Sequence, residues 1–147
     1  MLDKTKIGQA LTTHSAEVEK GRLRFFAKAI GETAAIYVDE EAARAAGHRS
    51  LPVPPTFLFC LDMEVPDPFA WFPSVGLELT KILHGEQHFT YHAMAYAGDT
   101  LSFASRVADI YDKKGGALEF IVKDTRVSNQ LGQHVADLRS IIVQRNG

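Results

Sequence analysis

The spacing of apolar residues changes along the chain, from a helical period in the first half to a two-residue period in the second. Over residues 20–30 apolar side chains recur three and four positions apart, and Gly31 follows, which predicts a helix that ends at this glycine. Residues 15–19 are predicted to form a short extended segment. A second short helix is predicted over 39–46, because Asp39 suits the N-cap and acidic residues follow it in the first turn.

The segment 56–64 is apolar on nearly all sides and follows the rigid run Pro52-Val53-Pro54-Pro55. Prolines are well tolerated immediately before and within the first turn of a helix. A helix that is apolar all round must be buried. We therefore predict a central buried helix over 56–64, followed by a loop rich in proline and aromatic residues over 66–73.

From Glu86 onward polar and apolar residues alternate, which is typical of strands with one covered face. Turn residues, including glycine in each break, divide this half of the chain. Long strands joined by short turns form an antiparallel meander, and such a sheet must cover the one hydrophobic helix. The pattern predicts an α+β domain over 1–147, with four strands at about 86–94, 100–112, 116–128 and 132–144.

Length and composition exclude several classes of protein. With 147 residues, 46% of them hydrophobic, the chain can bury the core of one domain, or of one half of a two-domain protein. The net charge of −2 and the absence of a basic stripe argue against nucleic acid. No apolar run approaches the roughly 20 residues of a membrane span, and the N-terminus is not expected to be a signal peptide. Cys60 is the single cysteine, which predicts a reducing, cytoplasmic setting and a packing role for this thiol.

One polar cluster, His84-Gly85-Glu86-Gln87, runs directly into the alternating residues Phe89-Thr90-Tyr91 and then the turn Ala97-Gly98-Asp99-Thr100-Leu101. In order and spacing these residues resemble the MaoC-like, FAS1-type dehydratase group, the R-specific enoyl-thioester hydratases of the hotdog fold. Residues 22–56 match the same group more weakly. The resemblance implies a hotdog fold, in which a curved antiparallel sheet wraps around a central hydrophobic helix. It also implies reversible hydration of a trans-2-enoyl thioester, linked to CoA or a carrier protein, without a cofactor.

The acid–base motif of this family has the form Gly-Asp-x-Asn-Pro-(apolar)-His. In this chain Gly31 matches the glycine, Glu32 stands at the aspartate and Tyr37 stands at the histidine. Adding water to an enoyl thioester requires both a proton acceptor and a proton donor. The resemblance therefore makes Glu32 and Tyr37 candidate catalytic residues, although tyrosine, with a reference pKa of about 10, is a poor base. His84, expected just before a strand and facing a cleft, is the third candidate.

The resemblance also suggests residues that contact the substrate. Pro55 and Thr56 begin the central helix, where a backbone amide is expected to polarise the thioester carbonyl. Gly85 permits close approach of another backbone at the start of a strand. Glu86 and Gln87 should point to opposite faces of the sheet, so one of them either faces the ligand or caps the start of the helix.

Three histidines, His84, His88 and His92, lie four residues apart, which places them on one face of a strand. Four strand residues span about 13 Å, whereas metal ligands must lie at about 2 Å from one ion. We therefore predict no metal site on this segment. A phosphate of CoA or of a carrier protein would require basic side chains, and the sequence does not select among the candidates Arg44, Arg49, Arg126 and Arg139.

Three functional interpretations remain open. The first is a hydratase that acts alone, with Glu32 or His84 as its acid–base group. The second is a non-catalytic acyl-binding subunit that pairs with a catalytic hotdog chain, because the sequence resembles the half of two-hotdog hydratases that lacks the catalytic pair. The third is a thioesterase that uses Asp62 or Glu64 near the central helix. A single hotdog leaves a sheet edge uncovered, so a homodimer or a heterodimer with a second hotdog chain is expected.

Overall fold

The computed structural model describes the backbone of all 147 residues and every side chain except that of Thr12. The described helices are short: α1, the longest, has ten residues, and none is long and apolar enough to cross a membrane. Besides short 3-10 turns, the elements are β1 Ala10–Glu17, α1 Lys20–Ala29, α2 Glu40–Ala45, α3 Phe57–Asp62, α4 Phe72–Val75, β2 Ile82–Tyr91, β3 Thr100–Lys113, β4 Leu118–Ser128 and β5 His134–Arg145.

The strands form one antiparallel sheet in the order β1-β3-β4-β5-β2, so β1 and β2 are its edges. Consecutive strands from β3 to β5 are joined by turns, as expected for a meander. The register places Phe103 opposite Val127, and Leu138 opposite Phe89. These apolar residues lie on the face that the helices cover, which confirms the predicted α+β class.

The central helix α3 packs on this inner face of the sheet. Its residues Phe57, Leu58 and Leu61 are almost completely buried. They share one hydrophobic cluster with Leu23 and residues of the central strands. At the end of α3, Asp62 lies 2.7 Å from the Lys123 ammonium on β4, and both side chains are buried. The hydrophobic cluster around Phe57, Leu58 and Leu61 also includes the strand residues Leu101, Phe103, Val127, Val135 and Leu138.

A second hydrophobic cluster lies at the other end of the sheet. Trp71, Phe72 and Val75 of α4 and the turn before it pack against Val107 and Ile121. The sheet is therefore covered by two groups of helices, and the gap between α3 and α4 exposes part of its inner face.

Several element boundaries differ from the sequence prediction. The extended segment predicted at 15–19 is the end of β1, which begins at Ala10 and pairs with β3, so the sheet has a fifth described strand. The alternation in β1 is obscured because polar residues lie on both faces. His14, for example, stacks on the Phe103 ring at 5.0 Å between ring centroids.

The central helix is shorter than the predicted 56–64. It begins at Phe57 because Thr56 adopts a left-handed conformation with φ of 75°, and it ends at Asp62. The loop predicted over 66–73 includes the start of α4, where Pro73 occupies the first turn. Strand β2 begins at Ile82 rather than at residue 86. A register shift between His84 and Glu86 interrupts the alternation of polar and apolar residues, so the sequence pattern does not reveal the first residues that pair with β5.

The turn Ala97-Gly98-Asp99 is fixed by a buried carboxylate. Asp99 pairs with the Arg49 guanidinium and accepts hydrogen bonds from Gln130 Nε2 at 3.0 Å and from the Tyr96 amide at 2.9 Å. Burial raises the pKa of Asp99, but these three donors outweigh it and hold the pKa below its usual range. Asp99 therefore connects the segment after α2 with the turn between β4 and β5.

We expect Asp99→Asn to destabilise the fold by about 1–3 kcal/mol at neutral pH, because a charged acceptor is lost from a buried site. The lowered folded-state pKa means that the carboxylate stabilises the fold above its unfolded pKa of about 3.9. This contribution disappears as the pH falls through the folded-state pKa. Urea unfolding at neutral and acidic pH should therefore show a smaller difference between wild type and variant in acid.

The control is Asp112→Asn, since Asp112 forms an exposed ion pair with Lys4 at 2.8 Å. Exposed pairs contribute little to stability, so this variant should unfold almost as the wild type does. A deficit of Asp99→Asn that is equal at both pH values would contradict the role of the charge.

Candidate functional site

Strand β2 contains a β-bulge at Gly85. His84 lies opposite Ile142, whereas Glu86 lies opposite Ile141, so Gly85 is an extra residue without a partner. A Cβ atom at Gly85 would lie 2.9 Å from Val143 Cγ2 and 3.0 Å from the Ile141 carbonyl oxygen. Only glycine fits this approach without movement of the neighbouring strand, as the sequence predicted for the position.

The bulge reverses the face on which the β2 side chains lie. His84 shares the inner row with Ile142, while His88 lies opposite Arg139 in the outer row. The prediction that His84, His88 and His92 share one face is therefore wrong. The prediction that His84 precedes the strand is also wrong, because β2 already includes it.

An apolar cavity of about 290 Å³ opens between the end of α3, α4 and the beginning of β2. We call it the α3–α4 slot. The His84 imidazole stacks on the Phe59 ring at 5.4 Å between centroids and forms part of its wall. The volume of the α3–α4 slot lies close to the lower limit of ordinary ligand pockets. The other lining residues are Met63, Pro68, Phe69, Trp71, Phe72, Ile82, Leu83, Lys123, Ser140 and Ile142.

Glu86 and Gln87 lie on opposite faces of the sheet, as predicted. Gln87 is on the inner face, where its Oε1 accepts a hydrogen bond from Ser140 Oγ at 2.5 Å. Glu86 is on the outer face, and its carboxylate lies 2.7 Å from His88 Nε2. Gln87 thus supports a residue that lines the α3–α4 slot.

A second, smaller cavity of about 260 Å³ lies beside the beginning of α3. We call it the Tyr37 pocket; its other lining residues include Val53, Pro55, Leu58, Tyr91, Met94 and Val135. The Thr56 amide donates a hydrogen bond to Tyr91 Oη at 3.0 Å. Partial burial raises the pKa of Tyr91, the Thr56 amide opposes that rise, and Tyr37 adds to it. The amide predicted to polarise a thioester carbonyl is thus engaged by Tyr91.

The structure does not bring the three predicted catalytic residues together. Glu32 lines neither cavity, and its Oε1 accepts a hydrogen bond at 2.8 Å from the Ala34 amide in its own loop. Tyr37 lines the Tyr37 pocket, whereas His84 lines the α3–α4 slot. Leu58 and Phe59, adjacent on α3, line different cavities, so the helix separates the two.

The carboxylates considered for a thioesterase are both paired. Asp62 is buried against Lys123, and Glu64 lies 2.5 Å from Arg22. Burial raises the pKa of the Cys60 thiol, which is half-buried and packs against the core. A raised pKa lowers the thiolate fraction, in agreement with a packing role for this cysteine.

Three of the four arginines considered as phosphate ligands form ion pairs within the chain. Arg44 contacts Glu40, Arg49 contacts Asp99, and Arg139 contacts Asp124. Arg126 has no ion pair among the described side chains and lies on the outer face of β4, opposite Asp137. Of these four arginines, Arg126 is therefore the one best able to bind an added anion.

Sequence reasoning missed Lys123 and Ser140, which lie in the inner row of the sheet beside the α3–α4 slot. One signal was available for Lys123: it continues the inner row of Ile121, Thr125 and Val127, where a charged residue requires a buried partner. For Ser140 the sequence carries no such signal, because a serine in an alternating strand is ordinary.

The antiparallel sheet and the central helix that it covers form a hotdog-type α+β domain. A family model described as the FAS1-like dehydratase domain region matches residues 5–138. The chain therefore belongs to this family, which confirms the resemblance drawn from the His84–Gln87 cluster.

Individual proteins are similar to this chain over most of its length. The chain is 33% identical over 145 residues to a UPF0336 protein of Saccharopolyspora erythraea, an alignment that covers 98% of this chain and 92% of the relative. It is similar to the C-terminally truncated HadBC (3R-hydroxyacyl-ACP dehydratase) complex of Mycobacterium tuberculosis, with 24% identity, a TM-score of 0.80 and 94% and 96% coverage of the two chains. A solved MaoC-like dehydratase matches with 21% identity and a TM-score of 0.83, over 97% of this chain and 43% of the other.

We expect Gly85→Ala to destabilise the fold by about 1–3 kcal/mol, because the added methyl group must displace Val143 or the Ile141 carbonyl. The matched control is Gly21→Ala in α1, where a Cβ would meet no atom within 4 Å. This change should stabilise the fold by up to about 1 kcal/mol, since alanine favours the helix. Urea unfolding measures both free energies, and similar values for the two variants would show that the approach at Gly85 is not tight.

Proposed function

We propose that this chain is the acyl-binding half of a dehydratase that interconverts trans-2-enoyl and 3-hydroxyacyl thioesters. A second hotdog chain supplies the acid–base pair. One observation carries the proposal: Glu32 and Tyr37 lie apart from His84, while an apolar slot is already formed beside α3.

The chemistry of hydration explains why this separation matters. A base removes a proton from water as the water oxygen bonds to C3, and an acid delivers a proton to C2. Both groups must therefore reach adjacent carbon atoms of one substrate, at about 3 Å from the atoms that exchange protons. Glu32 is engaged in its own loop and Tyr37 lies across α3 from His84, which supports an acid–base pair supplied by another chain.

The α3–α4 slot suits the hydrocarbon part of an acyl thioester. Its walls are mainly aromatic and aliphatic, including Phe59, Trp71, Phe72 and Ile142. Burying a methylene group contributes about 0.8 kcal/mol, so a few methylenes in the slot provide useful affinity. The shortness of α3, which ends at Asp62, leaves the space that the slot occupies.

A hotdog partner is supported by the uncovered edge of the sheet. Strand β2 is an edge strand, and Leu83 and Tyr91 on it are about half exposed. Open strand edges in native proteins are usually covered or protected. The similarity to the HadBC complex agrees with pairing to a second hotdog chain.

The first test mixes the purified chain with a hotdog chain that carries an intact Gly-Asp-x-Asn-Pro-x-His motif and follows the hydration of enoyl-CoA substrates. We expect activity from the mixture and none from this chain alone. Glu32→Ala should leave the activity of the mixture unchanged, because Glu32 is not required for proton transfer. Turnover by the isolated chain that is lost in Glu32→Ala or His84→Ala would instead establish an enzyme that acts alone.

The second test determines which of the two cavities binds the acyl tail. Met63→Trp adds bulk inside the α3–α4 slot, whereas Met94→Trp makes the same change in the Tyr37 pocket. We expect Met63→Trp to weaken binding of a medium-chain acyl-CoA about tenfold or more, a loss of about 1.4 kcal/mol. Calorimetric titration measures the affinity, and unfolding curves show that both variants fold.

Met94→Trp is the matched control and should bind as the wild type does. Equal losses in the two variants, or a loss in Met94→Trp alone, would move the acyl tail out of the α3–α4 slot.

A further inference from the structure

Two imidazoles and a carboxylate meet on the outer face of the sheet, away from the α3–α4 slot. His92 directly follows β2, while His134 and Asp137 lie at the beginning of β5. His92 Nε2 lies 2.7 Å from Asp137 Oδ2, and His134 Nε2 lies 2.9 Å from Asp137 Oδ1. The two imidazole rings are 4.2 Å apart between centroids.

The backbone holds these side chains in place. Thr90 pairs with Asp137 in the ladder between β2 and β5, and the His92 amide donates to the Val135 carbonyl at 2.8 Å. Two adjacent strands therefore present the three side chains to one point on the surface. All three remain accessible, with side-chain exposures of 39% for His92, 26% for His134 and 50% for Asp137.

We propose that His92, His134 and Asp137 bind a divalent transition-metal ion of the zinc class. Their ligand atoms all lie within 4.8 Å of one another. Zinc holds nitrogen and oxygen ligands at about 2.0–2.2 Å, which places tetrahedral ligands a little over 3 Å apart. To bind the ion through Nε2, each imidazole must carry its proton on Nδ1. The proton that now lies between Nε2 and Asp137 is therefore exchanged through solvent to Nδ1, which frees the Nε2 lone pair.

The donor set selects the class of ion. Two imidazole nitrogens and one carboxylate suit zinc, cobalt or nickel, whereas magnesium and calcium prefer oxygen ligands alone. Three protein ligands on an exposed surface leave the remaining coordination position to water.

The local charges are compatible with binding at neutral pH. Burial raises the pKa of Asp137, but the hydrogen bonds and charges of His92 and His134 outweigh it and hold the pKa below its usual range. The carboxylate is therefore ionised near neutrality. Arg126 lies opposite Asp137 on β4 and opposes a cation, whereas Thr90, opposite on β2, carries no charge.

The test titrates the untagged full chain with Zn²⁺ in competition with a chromophoric chelator, near neutral pH. We expect one ion per chain with micromolar affinity, and an affinity about tenfold or more lower for His134→Ala. Asp137→Asn, which keeps the shape of the side chain, should weaken binding as well and serves if His134→Ala folds poorly.

His88→Ala is the matched control. His88 is also an exposed imidazole on β2, 2.7 Å from the carboxylate of Glu86, but that pair offers only two ligands. This variant should bind zinc as the wild type does. Millimolar or weaker binding by the wild type, or equal affinities for wild type, His134→Ala and Asp137→Asn, would overturn the proposal.

Discussion

The close approach of β2 to β5 at Gly85 determines how the functional part of this protein is arranged. A side chain there would collide with Val143 and with the Ile141 carbonyl. Because the position is glycine, β2 accommodates an extra residue, and the faces before and after it are exchanged. His84 consequently lines the α3–α4 slot, while Glu86 and His88 face outward. Without the bulge, the α3–α4 slot would lose its histidine.

A second constraint is the length of α3. The left-handed Thr56 delays its beginning, and the buried contact of Asp62 with Lys123 fixes its end to the sheet. A helix of six residues covers only part of the inner face, so cavities remain on both sides of it. The same helix separates Tyr37 from His84. One short element thus creates the space for an acyl chain and divides the groups that could have formed an acid–base pair.

Much of this arrangement was predictable from sequence. The alternation after residue 86, the apolar segment 56–64 and the His84–Gln87 cluster were sufficient for the fold class and the family. The buried role of Asp99 was not predicted, although its turn was. Strand β1 was mostly missed, because its polar residues, such as His14, hide the alternation, and only pairing with β3 reveals the strand.

The candidate sites depended more strongly on tertiary contacts. His92 shares one segment with His84 and His88, but its neighbours in space are His134 and Asp137 from β5. Lys123 and Ser140 join the slot only because β5 pairs with β2 and β4 pairs with β5. The periodicity, the glycine at residue 85 and the departures from the acid–base motif are local properties, so they can be recognised in the amino-acid sequence alone. Which side chains meet depends instead on the bulge and the strand order, because both act between residues that are distant in the chain.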